Sequence, residues 1–332
     1  MRSLSRARGK VRGLTGTLLV LAASVFCAVG TLSLVSSGAH VASRGSVPVH
    51  GSPSLQQELD DGAPTSDAGY VPVGPHLTVP ILYYHYIRSI DPTHHLLGFN
   101  LSISPALFAE QMTLLHLDGA HTITLGQLVA ALAGKAALPS HPVILTFDDG
   151  YADFATAAEP VLDHFGFVAT DFVVSGFVGT FHYMTASQVL SMDAAGMVIG
   201  SHTVHHVDLA TVPLDRARNE IDKGKAALEH LLGHPVLDFA YPYGGYDAAV
   251  GQLLQEAGFR DAVSTRWGDV HTLGGLFLLH RIEVGGAPSL ATFARDALLP
   301  APTAAQLELI AILAPTPATE VAGTGAALNR AA

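Results

Sequence analysis

The chain has a single cysteine, Cys27, and it lies inside an apolar stretch near the N-terminus. The rest of the sequence has no thiol, which excludes disulfides and thiolate chemistry there. Ser24-Val25-Phe26 ahead of it is a poor match to a lipoprotein-type processing site, so Cys27 reads as a small membrane-buried hydrophobe. Basic residues are also scarce: 17 Lys and Arg face 28 Asp and Glu, for a formal charge of −11. Five of the basic residues (Arg2, Arg6, Arg8, Lys10, Arg12) fall in the first twelve positions, leaving the remainder more acidic still. Such a body repels nucleic-acid phosphates, and no nucleic-acid partner is expected. Disorder throughout is excluded as well, because 49% hydrophobic content over 332 residues supplies a substantial core.

After the basic cluster, Leu14 to Val35 carries no charged side chain. Roughly 20 apolar residues cross a bilayer as a helix, whereas the apolar region of a secretory signal is about 7–15 long. The segment therefore favours an uncleaved membrane anchor, with cleavage near Ser36 to Ser43 as the alternative. The basic flank puts the N-terminus in the cytoplasm and the rest of the chain outside. Residues 1–40 thus read as a basic stub plus anchor or signal peptide. Residues 41–76, rich in Pro, Gly, Ser and Asp, read as a flexible linker. Residues 77–299 read as a single folded domain, and residues 300–332 as an Ala/Pro-rich tail in which Leu307 to Leu313 can form a short helix.

Within 77–299, short apolar runs alternate with segments of helical period. The strand candidates are Ile81–Tyr84, Val143–Phe147, Val168–Val174, Val198–Ser201, Leu237–Tyr241, Ala262–Thr265 and Ile282–Val284. Helices are expected between them, at Pro105 to Leu117 and Leu214 to Leu232 most clearly. Strands alternating with helices over this length predict an α/β fold, a distorted (β/α) barrel of seven or eight parallel strands. In such a barrel, chemistry collects where the strands end.

Polar residues do follow the apolar runs. Val143-Ile-Leu-Thr-Phe147 leads into Asp148-Asp149-Gly150, two carboxylates at a strand end that need a cation or a proton if they share a site, or else an ordinary turn. Val198-Ile-Gly-Ser201 leads into His202-Thr-Val-His-His206. Histidines four apart share one face of a helical turn and can reach one metal, although a run of surface histidines has the same spelling. His205 is a rival to His206. Tyr241-Pro-Tyr-Gly-Gly245 follows a further strand and either presents backbone N–H groups to an oxyanion or simply turns the chain. His85 follows Ile81-Leu-Tyr-Tyr84, as a core histidine or, if it faces the barrel mouth, as a general acid.

Together these segments resemble the polysaccharide deacetylases of the NodB-homology family, carbohydrate esterase family 4. Thr146-Phe-Asp-Asp-Gly150, His202-Thr-Val-His-His206 and Tyr241-Pro-Tyr-Gly244 look like its first three motifs, in order, with Phe108-Ala-Glu-Gln-Met112, Gly258-Phe259 and Arg281-Ile-Glu-Val284 as framework. The resemblance covers roughly residues 78–298. It implies one divalent metal, most often Zn²⁺ with Co²⁺ or Ni²⁺ as alternatives, held by Asp149, His202 and His206. It implies Asp148 as general base and the Tyr243 backbone N–H as oxyanion donor. The family usually opens its third motif with an Arg that steadies the base, but Ala240 stands there, and Arg281 is the candidate replacement. The fourth motif is only loosely echoed by Asp261 and Trp267, which receive no role. For the general acid the candidates are His85 and His280. The early Tyr84-His85 pair resembles the branch acting on exopolysaccharide, which favours His85.

The expected activity is therefore N-deacetylation of an extracytoplasmic polysaccharide containing N-acetylglucosamine, by a chain anchored in the cell membrane or secreted after cleavage. O-deacetylation of a substrate such as acetylxylan, and sugar binding without catalysis, are the alternatives.

Overall fold

The structure, a computed structural model, describes residues 75–317. The expected anchor or signal, nearly all of the linker and the end of the tail lie outside the described residues. Among the described residues no helix is long and apolar enough to cross a membrane.

Seven strands form a closed ring: β1 (Ile81–Tyr84), β2 (Pro142–Asp149), β3 (Thr170–Val173), β4 (Val198–Ser201), β5 (Asp238–Ala240), β6 (Asp261–Trp267) and β7 (Leu279–Glu283). Around the barrel the order is β1-β7-β6-β5-β4-β3-β2, closed by β2 pairing with β1. Every pairing in the ring is parallel. The expected count of seven or eight resolves to seven, with the short strand His121–Thr122 added outside on β2. Distortion is local: β4 and β5 share one paired position, Ser201 with Phe239, and β6 is bulged between Val263 and Trp267.

Side chains alternate across the strands, as the two-residue period requires. Ile81, Ile144, Phe172, Ala240, Val263 and Leu279 fill the inside together with Leu125 and Leu128, which come from the helix Leu125–Leu132. Leu82, Tyr84, Leu145, Phe147, Phe239 and Ile282 face the surrounding helices. Gly200 matters to this filling, because a Cβ there would run into the Phe172 ring and the Asp238 carbonyl.

Local sequence sets the helix ends. Pro105–Leu117 starts behind Ser104, whose hydroxyl accepts from Leu107 N–H, with Pro105 in the first turn, where its missing N–H is harmless. Leu214–Leu232 stops at Gly233 in the left-handed conformation. The stretch after 300 contains the helix Ala304–Leu313, opened by a Thr303/Gln306 capping box. Ile310 is buried and the Gln306 amide donates to Asp118 at 2.7 Å, so packing continues past residue 299.

Candidate metal and active site

Asp148 and Asp149 end β2 on the same cavity, of about 650 Å³. On a straight strand they would point opposite ways. Asp149 (φ 80°) and Gly150 (φ 76°) both leave the strand in the left-handed region, which turns the second carboxylate back toward the mouth. Gly150 has no alternative there, since a Cβ would press on Val173 from 3.1 Å as well as strain the backbone.

His202 follows β4 and is buried. Its Nδ1–H donates to the Ala240 carbonyl at 2.7 Å, leaving the Nε2 lone pair toward the cavity. His202 Nε2 stands 3.5 Å from Asp149 Oδ1, and His206 Nε2 stands 3.2 Å from the same oxygen. That oxygen is buried and has no hydrogen-bond partner. The donor atoms of Asp149, His202 and His206 all lie within 4.8 Å of one another. Two imidazoles and a carboxylate converging without protons between them repel unless a cation lies among them, and two nitrogens with one oxygen suit a divalent metal with positions left open. Burial pushes His202 down to about 3 and also lowers His206, keeping both neutral. Burial raises Asp149 to about 6.

The expected helical face for His202 and His206 is not there. Residues 203–205 form a turn, with Thr203 (φ 68°) and His206 (φ 52°) in the left-handed region. The pair converge because this turn is tied from outside. Glu220, buried on the helix Leu214–Leu232, accepts from Val204 N–H (3.1 Å) and His205 N–H (2.9 Å) with one oxygen. Its other oxygen lies 2.9 Å from His205 Nδ1, which ties His205 to Glu220 and keeps it out of the donor cluster. Gly224, one turn further along the helix, lets the Thr203 backbone approach, since a Cβ would sit 2.9 Å from the Thr203 carbonyl carbon.

Asp148 meets Arg281 in a two-pronged pair. Arg281 is fully buried and donates to Asp148 Oδ1 at 2.8 Å and Oδ2 at 2.7 Å. It also donates to Thr146 Oγ1 (3.2 Å) and the Ser264 carbonyl (2.8 Å), and its guanidinium lies over the Tyr83 ring at 4.3 Å. Burial alone raises the Asp148 pKa, but the Arg281 charge and its hydrogen bonds outweigh it and hold the carboxyl well below the usual range. Arg281 thus stands where the sequence expected a substitute for the Arg missing at Ala240. Ala240 contributes its carbonyl instead, by orienting His202.

His85 lines the cavity, edge-on to Tyr83 with ring centroids 5.7 Å apart. Burial lowers its pKa, while Asp148 and Asp149 favour its charged form. His280 lines a separate cavity with His271 and Arg266. Tyr243 (φ 58°) sits on the rim, 68% exposed, its ring against His206 at 4.5 Å. Sequence reasoning missed Glu220, although a carboxylate on the buried stripe of Ala217, Ile221, Gly224 and Leu228 was a visible signal. It also missed an aromatic wall: Tyr86 stacks near Tyr151 (4.2 Å) and donates its hydroxyl to that of Tyr151 at 2.8 Å, with Tyr183 beyond at 4.8 Å. Tyr151 in turn is a hydrogen-bond partner of Asp149.

Known proteins resemble this chain in sequence and in fold. The profile of the family described as Polysaccharide deacetylase matches residues 135–262. YxkH of Bacillus subtilis (strain 168) is 29% identical over 215 residues, covering 65% of this chain and 74% of that protein. The poly-beta-1,6-N-acetyl-D-glucosamine N-deacetylase of Escherichia coli (strain K12) is 34% identical over 80 residues, 24% of this chain and 12% of that enzyme. The Streptococcus pyogenes deacetylase PplD, solved in complex with acetate, superposes with a TM-score of 0.63 at 27% identity, over 67% of this chain and 99% of that one. With the parallel barrel and the three strand-end motifs already in place, these likenesses show that the chain carries a polysaccharide deacetylase domain of the NodB-homology type, a hydrolase fold that removes acetyl groups from polysaccharides.

Proposed function

We propose that this chain is a divalent-metal-dependent N-deacetylase acting, outside the cytoplasm, on polymers that contain N-acetylglucosamine. One observation carries the reading: three convergent donor atoms (of Asp149, His202 and His206) stand beside Asp148, a carboxylate held ionised by Arg281. The orphaned Asp149 oxygen and the fixed His202 tautomer fit a resident cation, with Zn²⁺ favoured by the mixed nitrogen and oxygen donors and Co²⁺ or Ni²⁺ as alternatives. When bound, such a cation supplies Lewis acidity toward the acetyl carbonyl and lowers the pKa of water.

The chain's own groups do the rest. Asp148 accepts the proton of the attacking water, and Arg281 keeps that carboxylate ionised and aimed. The Tyr243 backbone N–H donates to the oxygen on which charge develops. His85, on the cavity wall, delivers a proton to the departing sugar nitrogen. Tyr86, Tyr151 and Tyr183 offer aromatic surface to the sugar ring. The N-acetylglucosamine assignment is supported by the E. coli relative, whose name gives that polymer. The location rests on the uncharged segment Leu14 to Val35 behind its basic cluster, read as a membrane anchor ahead of a linker and a catalytic domain over residues 77–299, with secretion after cleavage as the alternative.

Acetate release by the purified full-length chain with added zinc tests this. N-acetylglucosamine oligomers are turned over faster than acetylxylan, and Asp148→Asn lowers kcat by about 10²-fold or more. A metal-loaded wild type that binds these oligomers yet releases no acetate contradicts the proposal.

A further inference from the structure

A second groove, of about 420 Å³, lies beside the catalytic cavity at the ends of β6 and β7. Glu283 belongs to the walls of both. Trp267, the sole tryptophan, forms part of the groove and remains 41% exposed, although burial of so large an apolar ring is the general tendency. Its Cα pairs in register with that of Arg281, so the indole stands at the end of the strand beside the one that steadies Asp148. Gly285 and Gly286 line the groove and leave it without side chains there; a Cβ on Gly285 would run into the Asn100 carbonyl. Asn100 adds an amide to the wall.

The charges divide unevenly. Arg295 is engaged with Asp296 through Nε (3.0 Å) and Nη2 (2.8 Å), and Arg281 bonds to Asp148, so neither forms an ion pair with Glu283 at the junction. Burial raises the Glu283 pKa, while a hydrogen bond from the Tyr83 hydroxyl and the Arg281 charge favour its ionised form. An exposed aromatic face, a planar amide, bare backbone and a fixed carboxylate are the groups that recognise a pyranose bearing a positive charge.

We infer that this groove is a subsite for a neighbouring sugar unit whose amine is already free, a glucosamine, with its ring on Trp267 and its ammonium on Glu283. This inference rests on the proposed deacetylation at the adjacent cavity. The enzyme then acts preferentially next to units it has already processed, and an initially uniform polymer acquires runs of deacetylated units.

Kinetics on two tetramers decide the matter: a fully N-acetylated N-acetylglucosamine tetramer, and one in which a single acetylated unit is flanked by free amines. The wild type prefers the amine-flanked tetramer by about tenfold in kcat/KM per acetyl group, the scale of one charge-assisted hydrogen bond. Glu283→Gln reduces that preference to less than about twofold by raising KM for the amine-flanked tetramer. Trp267→Ala raises KM for both tetramers by about tenfold and changes kcat by less than about threefold. The wild-type preference weakens in high salt, as a solvent-accessible charge pair requires. Equal wild-type handling of the two tetramers, an undiminished preference in Glu283→Gln, or an unchanged KM in Trp267→Ala overturns the subsite while leaving the deacetylase reading intact. No acetate from either tetramer overturns both.

Discussion

Replacing Arg281 with Met removes the guanidinium while keeping much of the chain length. In the wild type this fully buried group makes two bonds to Asp148, one to Thr146 and one to the Ser264 carbonyl. Removing one side of a buried ion pair typically costs about 3–5 kcal/mol, because the remaining charge is left in a low dielectric. Asp148 can escape most of that cost by binding a proton. At about 1.36 kcal/mol per pKa unit, the cost corresponds to an upward shift of roughly 2–4 units. The wild-type carboxyl titrates below the usual range, so its proton-accepting form is complete throughout the neutral region. Its contribution to stability is fully present above the unfolded-state pKa and lost only as pH falls toward the folded one. In Arg281→Met the acid limb of kcat/KM for acetate release, measured at saturating metal, moves up by about 2 pH units or more, and the melting temperature falls. Arg281→Lys, which keeps a charge but not the two-pronged geometry, lies between. An Arg281→Met protein with the wild-type acid limb and melting temperature refutes this reasoning.

The other expectations concern the groups around that pair. His85→Ala lowers kcat by roughly 10²–10⁴-fold, whereas His280→Ala, outside the catalytic cavity, changes it by less than about threefold; comparable small losses in both contradict the acid assignment. Glu220→Ala frees the turn that carries His206 and weakens zinc binding by about 10–100-fold in a chelator competition, with Glu220→Gln less affected; wild-type affinity in the alanine variant removes Glu220 from the account. Free zinc at about 100 times its Kd stabilises the wild type by about 2.7 kcal/mol in thermal melts, and His206→Ala loses that gain. A zinc-induced rise that persists in His206→Ala places the metal elsewhere.

Much of the barrel was legible because several strands are apolar runs that a chemistry-bearing group follows at once: Asp148 after Phe147, His202 after Ser201, His85 after Tyr84. The failures have a common physical cause. Spacing of four between His202 and His206 satisfies a helix, but a turn with two left-handed residues brings the rings equally close, and that turn depends on Glu220, well downstream. No local pattern encodes such a support. Arg281 and Asp148 are separated by 133 positions, and only the resemblance to a family whose usual Arg is replaced by Ala240 in this chain linked them. The short helix expected over Leu307 to Leu313 within the tail is present and starts earlier, at Ala304, because Thr303 and Gln306 form a capping box that the surrounding Ala and Pro obscured. The groove beside the cavity is invisible in sequence, since Asn100, Trp267 and Glu283 meet only once β6 and β7 lie side by side and Gly285 packs against the end of the short helix Leu96–Asn100.

The central claim is that Asp149, His202 and His206 hold a cation without which Asp148 has no water to activate. Titrating zinc into the chelator-stripped full-length chain, while counting bound metal and acetate released from an N-acetylglucosamine oligomer in the same samples, tests it most directly. The account predicts that activity rises from near zero in proportion to bound metal and saturates at about one ion per chain, and that Asp149→Ala neither binds that ion nor releases acetate. Undiminished acetate release by the stripped wild type, or by Asp149→Ala, contradicts it.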